Sequence, residues 1–188
     1  MDSKLQIFEG RFHGRKLFLP TGARPTQNRA RLAVFNMLRE MVQTWDKFSV
    51  WDAFAGSGAF GIEMMSRYPN ARVYFSDISP ESIKIVNKNL ELVKPHLQEY
   101  RVHQADALKL ITENAFGKNV DVTFIDPPYD NADLGVKFIQ EFGKIAKTGA
   151  ILIWEQEADK SITPDDANWE ILRDRKYGRA RFLIMRRV

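Results

Sequence analysis

From Phe48 onward the chain switches repeatedly between two hydrophobic rhythms. Short apolar runs, SVWDAF, ARVYFSD, YRVHQAD, VDVTFID and AILIWE, read as strands. Between them lie stretches with an apolar residue every third or fourth position. IEMMSR continues a helix out of a glycine-rich turn; Ile83, Val86, Leu90 and Val93 share one helical face, and Leu134, Phe138, Phe142 and Ile145 share another. Ser79-Pro80 supplies an N-cap followed by proline at the first helical position. Strand–helix alternation requires crossovers, hence parallel strands covered on both faces. The last stretch, NWEILRDRKYGRARFLIMRR, instead predicts an antiparallel hairpin around Tyr177-Gly178. The expected fold class is therefore α/β: a doubly wound, mostly parallel sheet of seven strands, Rossmann-like, closed by a C-terminal antiparallel hairpin.

The first part of the chain follows another pattern. LQIFEGRFHGRKLFL (5–19) places apolar runs on either side of Gly10–Gly14 and predicts a small β-hairpin. Thr26 then stands as an N-cap for a helix whose apolar stripe is Leu32, Phe35, Leu38 and Met41. Residues 1–26 are expected to form a basic N-terminal extension and residues 27–188 the main domain.

Composition narrows the class. A chain of 188 residues, 44% hydrophobic, can bury a core without covalent staples. With no cysteine there is no disulfide, thiol nucleophile or thiolate metal site, and the three histidines (His13, His96, His103) are scattered. No metal is expected. No stretch resembles a signal peptide or a membrane span, so a soluble, cytoplasmic protein is expected. The net charge of +4 is unevenly spread: residues 1–31 and 170–188 each carry seven Lys/Arg against two acids, leaving the centre acidic. Two basic ends are suited to a polyanion.

GSGAFG (56–61) fits a G-x-G-x-x-G turn, with Asp77 placed to hold a ribose. The glycines alone suit NAD as well as other nucleotides. The first strand, however, ends D-A-F-A-G-S-G, which puts Asp52 beside the ligand, where it would repel pyrophosphate and attract an ammonium or sulfonium. S-adenosylmethionine (SAM) carries both cations, together with a carboxylate for the N–H groups of the loop. Asp77, ending the second strand, can accept two ribose hydroxyls; Asp106-Ala107, ending the third, can meet the adenine amino group.

After the fourth strand comes Asp126-Pro127-Pro128-Tyr129. An exocyclic amine on a base is a poor nucleophile because its lone pair is delocalised into the ring. Accepting its two hydrogens on the Asp126 carboxylate and the Pro127 carbonyl favours a pyramidal nitrogen, and Tyr129 can stack on the base. The acceleration would come chiefly from positioning and preorganised dipoles.

D-A-F-A-G-S-G with D-P-P-Y resembles the class I SAM-dependent methyltransferases that modify exocyclic amino groups of bases. With GRFHGRKLFLP and ARPTQNRARLAVFNML upstream, the chain resembles the bacterial 16S rRNA guanine-N2 methyltransferase family, from about Gly10 through Tyr129 and more loosely to the terminal hairpin. The resemblance implies methyl transfer from SAM to N2 of one guanine in 16S rRNA, within a partly assembled small ribosomal subunit, by a monomer that yields S-adenosylhomocysteine. It places Asp52, Ala53, Phe54, Ala55, Gly56, Ser57, Gly58, Asp77, Ile78, Asp106 and Ala107 around SAM. Asp126, Pro127, Pro128 and Tyr129 become the catalytic tetrapeptide, and Arg24-Pro25-Thr26 a segment leading into the site. Asn28 and Leu32 stand where the family has Asp and Glu, and Asp77 where it more often has Glu.

RNA contacts are expected from Lys4, Arg11, His13, Arg15, Lys16, Arg24, Thr26, Arg29 and Arg31, extended by Lys176, Arg179 and Arg181, with strongly salt-dependent affinity. A stacked guanine would be extruded to reach Asp126. The nearest rival is a DNA adenine-N6 or cytosine-N4 methyltransferase, disfavoured because the chain has no room for a target-recognition domain. An NAD-dependent oxidoreductase is the more distant alternative.

Overall fold

The computed structural model of the chain describes residues 5–22, 28–42, 46–94, 99–116, 119–128 and 132–188. Its centre is a seven-stranded sheet of order β3-β2-β1-β4-β5-β7-β6. The five parallel strands are β1 (Ser49–Asp52), β2 (Arg72–Asp77), β3 (Tyr100–Gln104), β4 (Val122–Ile125) and β5 (Ile151–Glu157). β6 (Trp169–Tyr177) and β7 (Ala180–Arg187) form the antiparallel hairpin, with β7 against β5 and a bulge between Ile171 and Arg173. Strand order reverses between β1 and β4, so a crevice opens beyond their carboxyl ends.

Among the described residues, five α-helices cover the sheet: α1 (Asn28–Val42), α2 (Ala59–Arg67), α3 (Pro80–Val93), α4 (Ala107–Thr112) and α5 (Ala132–Ile145). α1, α2 and α3 bury Val34, Phe35, Phe60, Ile62, Val86 and Leu90 on one face; α4 and α5 bury Leu110, Ile111, Phe138 and Phe142 on the other. Because both faces are covered, strand residues are apolar in both directions: Val50 and Ile153 point one way, Trp51 and Trp154 the other. The sequence reading missed α4, which at six residues is too short to show a helical period. The inner stripe of α1 also differs from the expected one. Leu32 is only half-buried, and the core-facing positions are Ala30, Arg31, Val34, Phe35 and Leu38. Residues spaced strictly by three drift around a helix of 3.6 residues per turn, whereas the observed set alternates three and four.

The expected N-terminal hairpin is present and short: Gln6 forms an antiparallel bridge with Lys16, flanked by Leu17 N donating to Leu5 O at 2.9 Å and Ile7 N to Arg15 O at 3.0 Å. A ladder does not extend because its backbone donors are used elsewhere. Phe8 N and Glu9 N donate to the Glu63 carboxylate of α2 at 2.8 and 3.1 Å, Phe12 N to Ser66 Oγ at 2.9 Å, and Phe18 N to Asn89 Oδ1 of α3 at 2.8 Å. Arg67 completes the tie, its Nε at 2.7 Å from Glu63 and its Nη1 at 2.7 Å from Glu9. Leu5, Ile7, Phe12 and Leu17 join the same hydrophobic cluster as α1 and α2. The boundary expected near residue 26 falls outside the described residues.

Candidate active site

Side chains alternate along a strand, so a residue one step past a core position faces the opposite side. At the carboxyl edge of the sheet, Trp51, Ile125 and Trp154 pack against the α5 side, and their successors Asp52, Asp126 and Glu155 turn to the α1 side. Register holds these three acids together: Asp52 pairs with Phe124 across β1–β4, and Ile125 with Trp154 across β4–β5. All three line one cavity of about 710 Å³, counted out to its open mouth. Its other walls include Leu5, Leu19 and Pro20 of the N-terminal segment, Phe35 of α1, the loop residues Phe54–Ser57, and Phe182 of β7. Phe60 stacks on Phe124 at 4.2 Å and closes the floor.

Asp52 Oδ2 accepts the Gly61 N–H at 3.0 Å. Burial nonetheless pushes its carboxyl up to about 8; the Gly61 bond opposes this, Asp77 and Asp126 add repulsion, and Arg31 offsets part of it. Burial also raises Asp126, to about 7. Arg31 is the one cation among the described lining residues. Its Nη2 lies 3.7 Å from Glu63, its guanidinium sits 4.9 Å from the Phe8 ring centroid, and its Nε and Nη1 have no partner among the described residues. Burial lowers its pKa, while Glu63 and then Glu155 act in the opposite direction.

The glycine loop runs from β1 into α2. Gly56 sits at φ +53, where a side chain would be strained although nothing lies within 4 Å of its would-be Cβ. Gly61 serves close packing instead, since a Cβ there would come within 2.3 Å of the Phe75 ring. Asp77 links the loop to β2: Oδ2 accepts Gly56 N–H and Oδ1 accepts Ser79 N–H, both at 2.8 Å. Ile78 beside it is 70% exposed. Asp106 is exposed and caps α4, its Oδ1 taking Leu108 N–H at 2.8 Å, with Ala107 buried behind it.

Of the expected tetrapeptide, Asp126 reaches the cavity, Pro127 is buried and Pro128 exposed; Tyr129 lies outside the described residues. Arg11, His13, Arg15 and Lys16 are exposed around the N-terminal turn, as are Lys176 and Arg179 on the terminal hairpin. Lys4, Arg24 and Thr26 lie outside the described residues, and of Arg29 only the helical backbone is described. Two of the expected phosphate contacts need correction. Arg31 is buried over the cavity because it occupies the inner stripe of α1. Arg181 is buried too, its guanidinium held by both Asp174 oxygens at 2.8 Å and by Thr163 Oγ1 at 2.7 Å.

Glu155 and the true position of Arg31 are what the sequence reading missed. Each had a signal. Glu155 interrupts an apolar run at the same strand end as Asp52 and Asp126, and Arg31 lies four residues before Phe35 on the stripe that the helix buries.

Among the described residues no helix is long and apolar enough to cross a membrane, and no group of three or more His, Cys, Asp or Glu is placed to hold a metal. The chain is 28% identical, over 98% of its length and 90% of the relative's, to "Ribosomal RNA small subunit methyltransferase D" of Escherichia coli strain K12. It is 30% identical to the protein of the same name from Buchnera aphidicola subsp. Acyrthosiphon pisum, over 90% of this chain and 86% of that one. The solved structure described as "Putative methyltransferase yhhF from Escherichia coli" superposes with a TM-score of 0.80 at 28% identity, covering 97% of both chains. With the sheet order, the glycine loop and the acid-lined crevice in agreement, and residues 5–186 matching throughout, the chain belongs to the family described as conserved hypothetical protein 95.

Proposed function

We propose that this protein transfers a methyl group from SAM to the exocyclic N2 of one guanine in 16S rRNA, acting as a cytoplasmic monomer on a partly assembled small ribosomal subunit. The observation that carries the reading is the half-buried Asp126, which opens a Pro-Pro turn and lines the same cavity as the glycine loop. The names of the relatives support rRNA of the small subunit as substrate.

SAM supplies an electrophilic methyl group on a sulfonium, and the residues present fit it. Asp52, buried and facing the cavity beside the loop 53–58, would accept from the methionyl ammonium. Asp77 has one backbone donor on each oxygen, and a carboxylate has about four lone-pair directions, leaving two for ribose hydroxyls. The exposed Ile78 gives a flat apolar face for adenine, and Asp106, with one oxygen occupied by its cap bond, an acceptor for the adenine amine.

Asp126 and the Pro127 carbonyl would receive the two hydrogens of N2 and direct its lone pair out of the ring plane. When N2 forms its new C–N bond it must give up one proton. A carboxyl poised near 7 is matched to hold that proton before releasing it to solvent. Pro127 and Pro128 fix the chain that presents this carbonyl. Tyr129 would stack on the base, and Arg11, His13, Arg15 and Lys16, with Arg24, Thr26 and Arg29, would hold flanking phosphates.

The test is incubation with radiolabelled SAM and either undermethylated small subunits or duplex DNA, followed by mapping of the labelled nucleotide. Label on N2 of a single 16S guanine is the expected result. Label confined to DNA, or on another atom of the rRNA, would sink the reading.

A further inference from the structure

The cavity holds a third carboxylate, Glu155, for which donor binding and methyl transfer leave no task. Glu155 is 2% exposed, lies on the strand next to that of Asp126, and faces the same cavity. Neighbouring strands stand about 4.8 Å apart, so two acids at the same level can accept from adjacent donors on one molecular edge. Arg31 faces the same cavity and interacts electrostatically with Glu155.

The three bases with exocyclic amines differ in the ring nitrogen beside the amine. In adenine and cytosine that nitrogen is a bare acceptor. In guanine it is N1–H, a donor directly next to the two hydrogens of N2. A carboxylate accepts hydrogen bonds only, so beside Asp126 it would attract the guanine edge and repel the lone pair of adenine or cytosine.

We infer that Glu155 is the residue that selects guanine, accepting N1–H while Asp126 holds N2. This rests on the guanine-N2 reading above and deepens it: the same sheet edge presents one acid for the reacting amine and a second for the identity of the base. Arg31, from α1, places a cation in a cavity that otherwise gathers acidic groups.

The experiment uses small subunits reconstituted with 16S rRNA that carries either guanine or 2-aminopurine at the mapped target. 2-Aminopurine keeps the 2-amino group but has no hydrogen on N1. The wild-type protein should prefer guanine by on the order of a hundredfold or more in kcat/KM, because a site built for an N–H rejects an analogue lacking it. Glu155→Gln, whose amide can also donate, should narrow that preference at least about tenfold; a purely structural role would lower both rates together. Equal wild-type rates on the two substrates would overturn the assignment without any variant. So would an equal fall on both in Glu155→Gln. Wild-type protein that labels neither substrate, or labels an atom other than N2, withdraws the guanine-N2 reading and this assignment with it.

Discussion

Trp51, Ile125 and Trp154 differ from Asp52, Asp126 and Glu155 by one step along the same three strands, yet the two sets have opposite fates. The first set is sealed beneath α5, where Trp51 packs against Phe138 and Phe142 at 5.2 and 5.7 Å. The second lines a cavity in which α1 and the N-terminal segment stand away from the strand ends. The strand backbone treats both faces alike. What separates them is how completely the covering layer closes at the carboxyl edge, and the face left open is the one that receives ionisable groups.

The sharpest way to break the comparison is to remove chemistry from the open face alone. Asp126→Ala should lower single-turnover methylation of small subunits by about 10²–10⁴-fold while leaving denaturant unfolding no less cooperative. A folded variant with the wild-type rate would show that the acid is not part of the reaction. The converse substitution on the closed face, Trp154→Ala, should cost about 3–5 kcal/mol in urea unfolding, since it empties a fully packed site. A smaller change tests the tightness of that seal. At Gly135 of α5, an added Cβ would come within 2.4 Å of the Trp154 ring, so Gly135→Ala should destabilise by about 1–3 kcal/mol. An unchanged midpoint would mean that α5 is free to lift.

Protonation gives the finest distinction, because Asp52, Asp126 and Glu155 are ionisable where Trp51, Ile125 and Trp154 are not. Asp52 rises from 3.8 to about 8 in the folded chain, so the native state binds a proton there that the unfolded chain has lost by neutral pH. The resulting stabilisation is complete below about pH 4 and disappears as pH climbs through about 8, so for this group the ligand-free protein should be harder to unfold at pH 6 than at pH 8. Donor affinity runs the other way. A cation needs the ionised acid, so SAM should bind about tenfold more tightly per pH unit between 6 and 7, levelling off above 8. Asp52→Asn should flatten both profiles; a pH-independent affinity in the wild type would remove Asp52 from the ammonium site.

The closed face was the easier one to read from the sequence. Apolar runs marked the central strands β1, β4 and β5, and Phe138 and Phe142 marked α5, because burial on both sides leaves few polar interruptions. The glycine loop was legible as well, since Asp52, the glycines and Asp77 belong to one short local pattern. Arg31 and Glu155 were not. Each is a charged residue embedded in a hydrophobic stripe, and nothing local says whether such a charge points to solvent or into a cavity formed by a distant segment. The N-terminal hairpin was legible, but its anchoring was not: its remaining backbone donors go to Glu63, Ser66 and Asn89, partners 54 to 71 positions away.

Those long-range ties also set a schedule. Leu5, Leu19 and Pro20 are synthesised before Asn89, but they cannot become a cavity wall until Asn89 has emerged to hold Phe18 from both sides, through Phe18 N at 2.8 Å and Phe18 O at 3.0 Å. The opposite wall waits for Phe182, whose strand must turn back onto β5. During synthesis, therefore, the residues of one wall are made long before those of the other, and the nascent chain stays without a complete cavity until β7 has emerged.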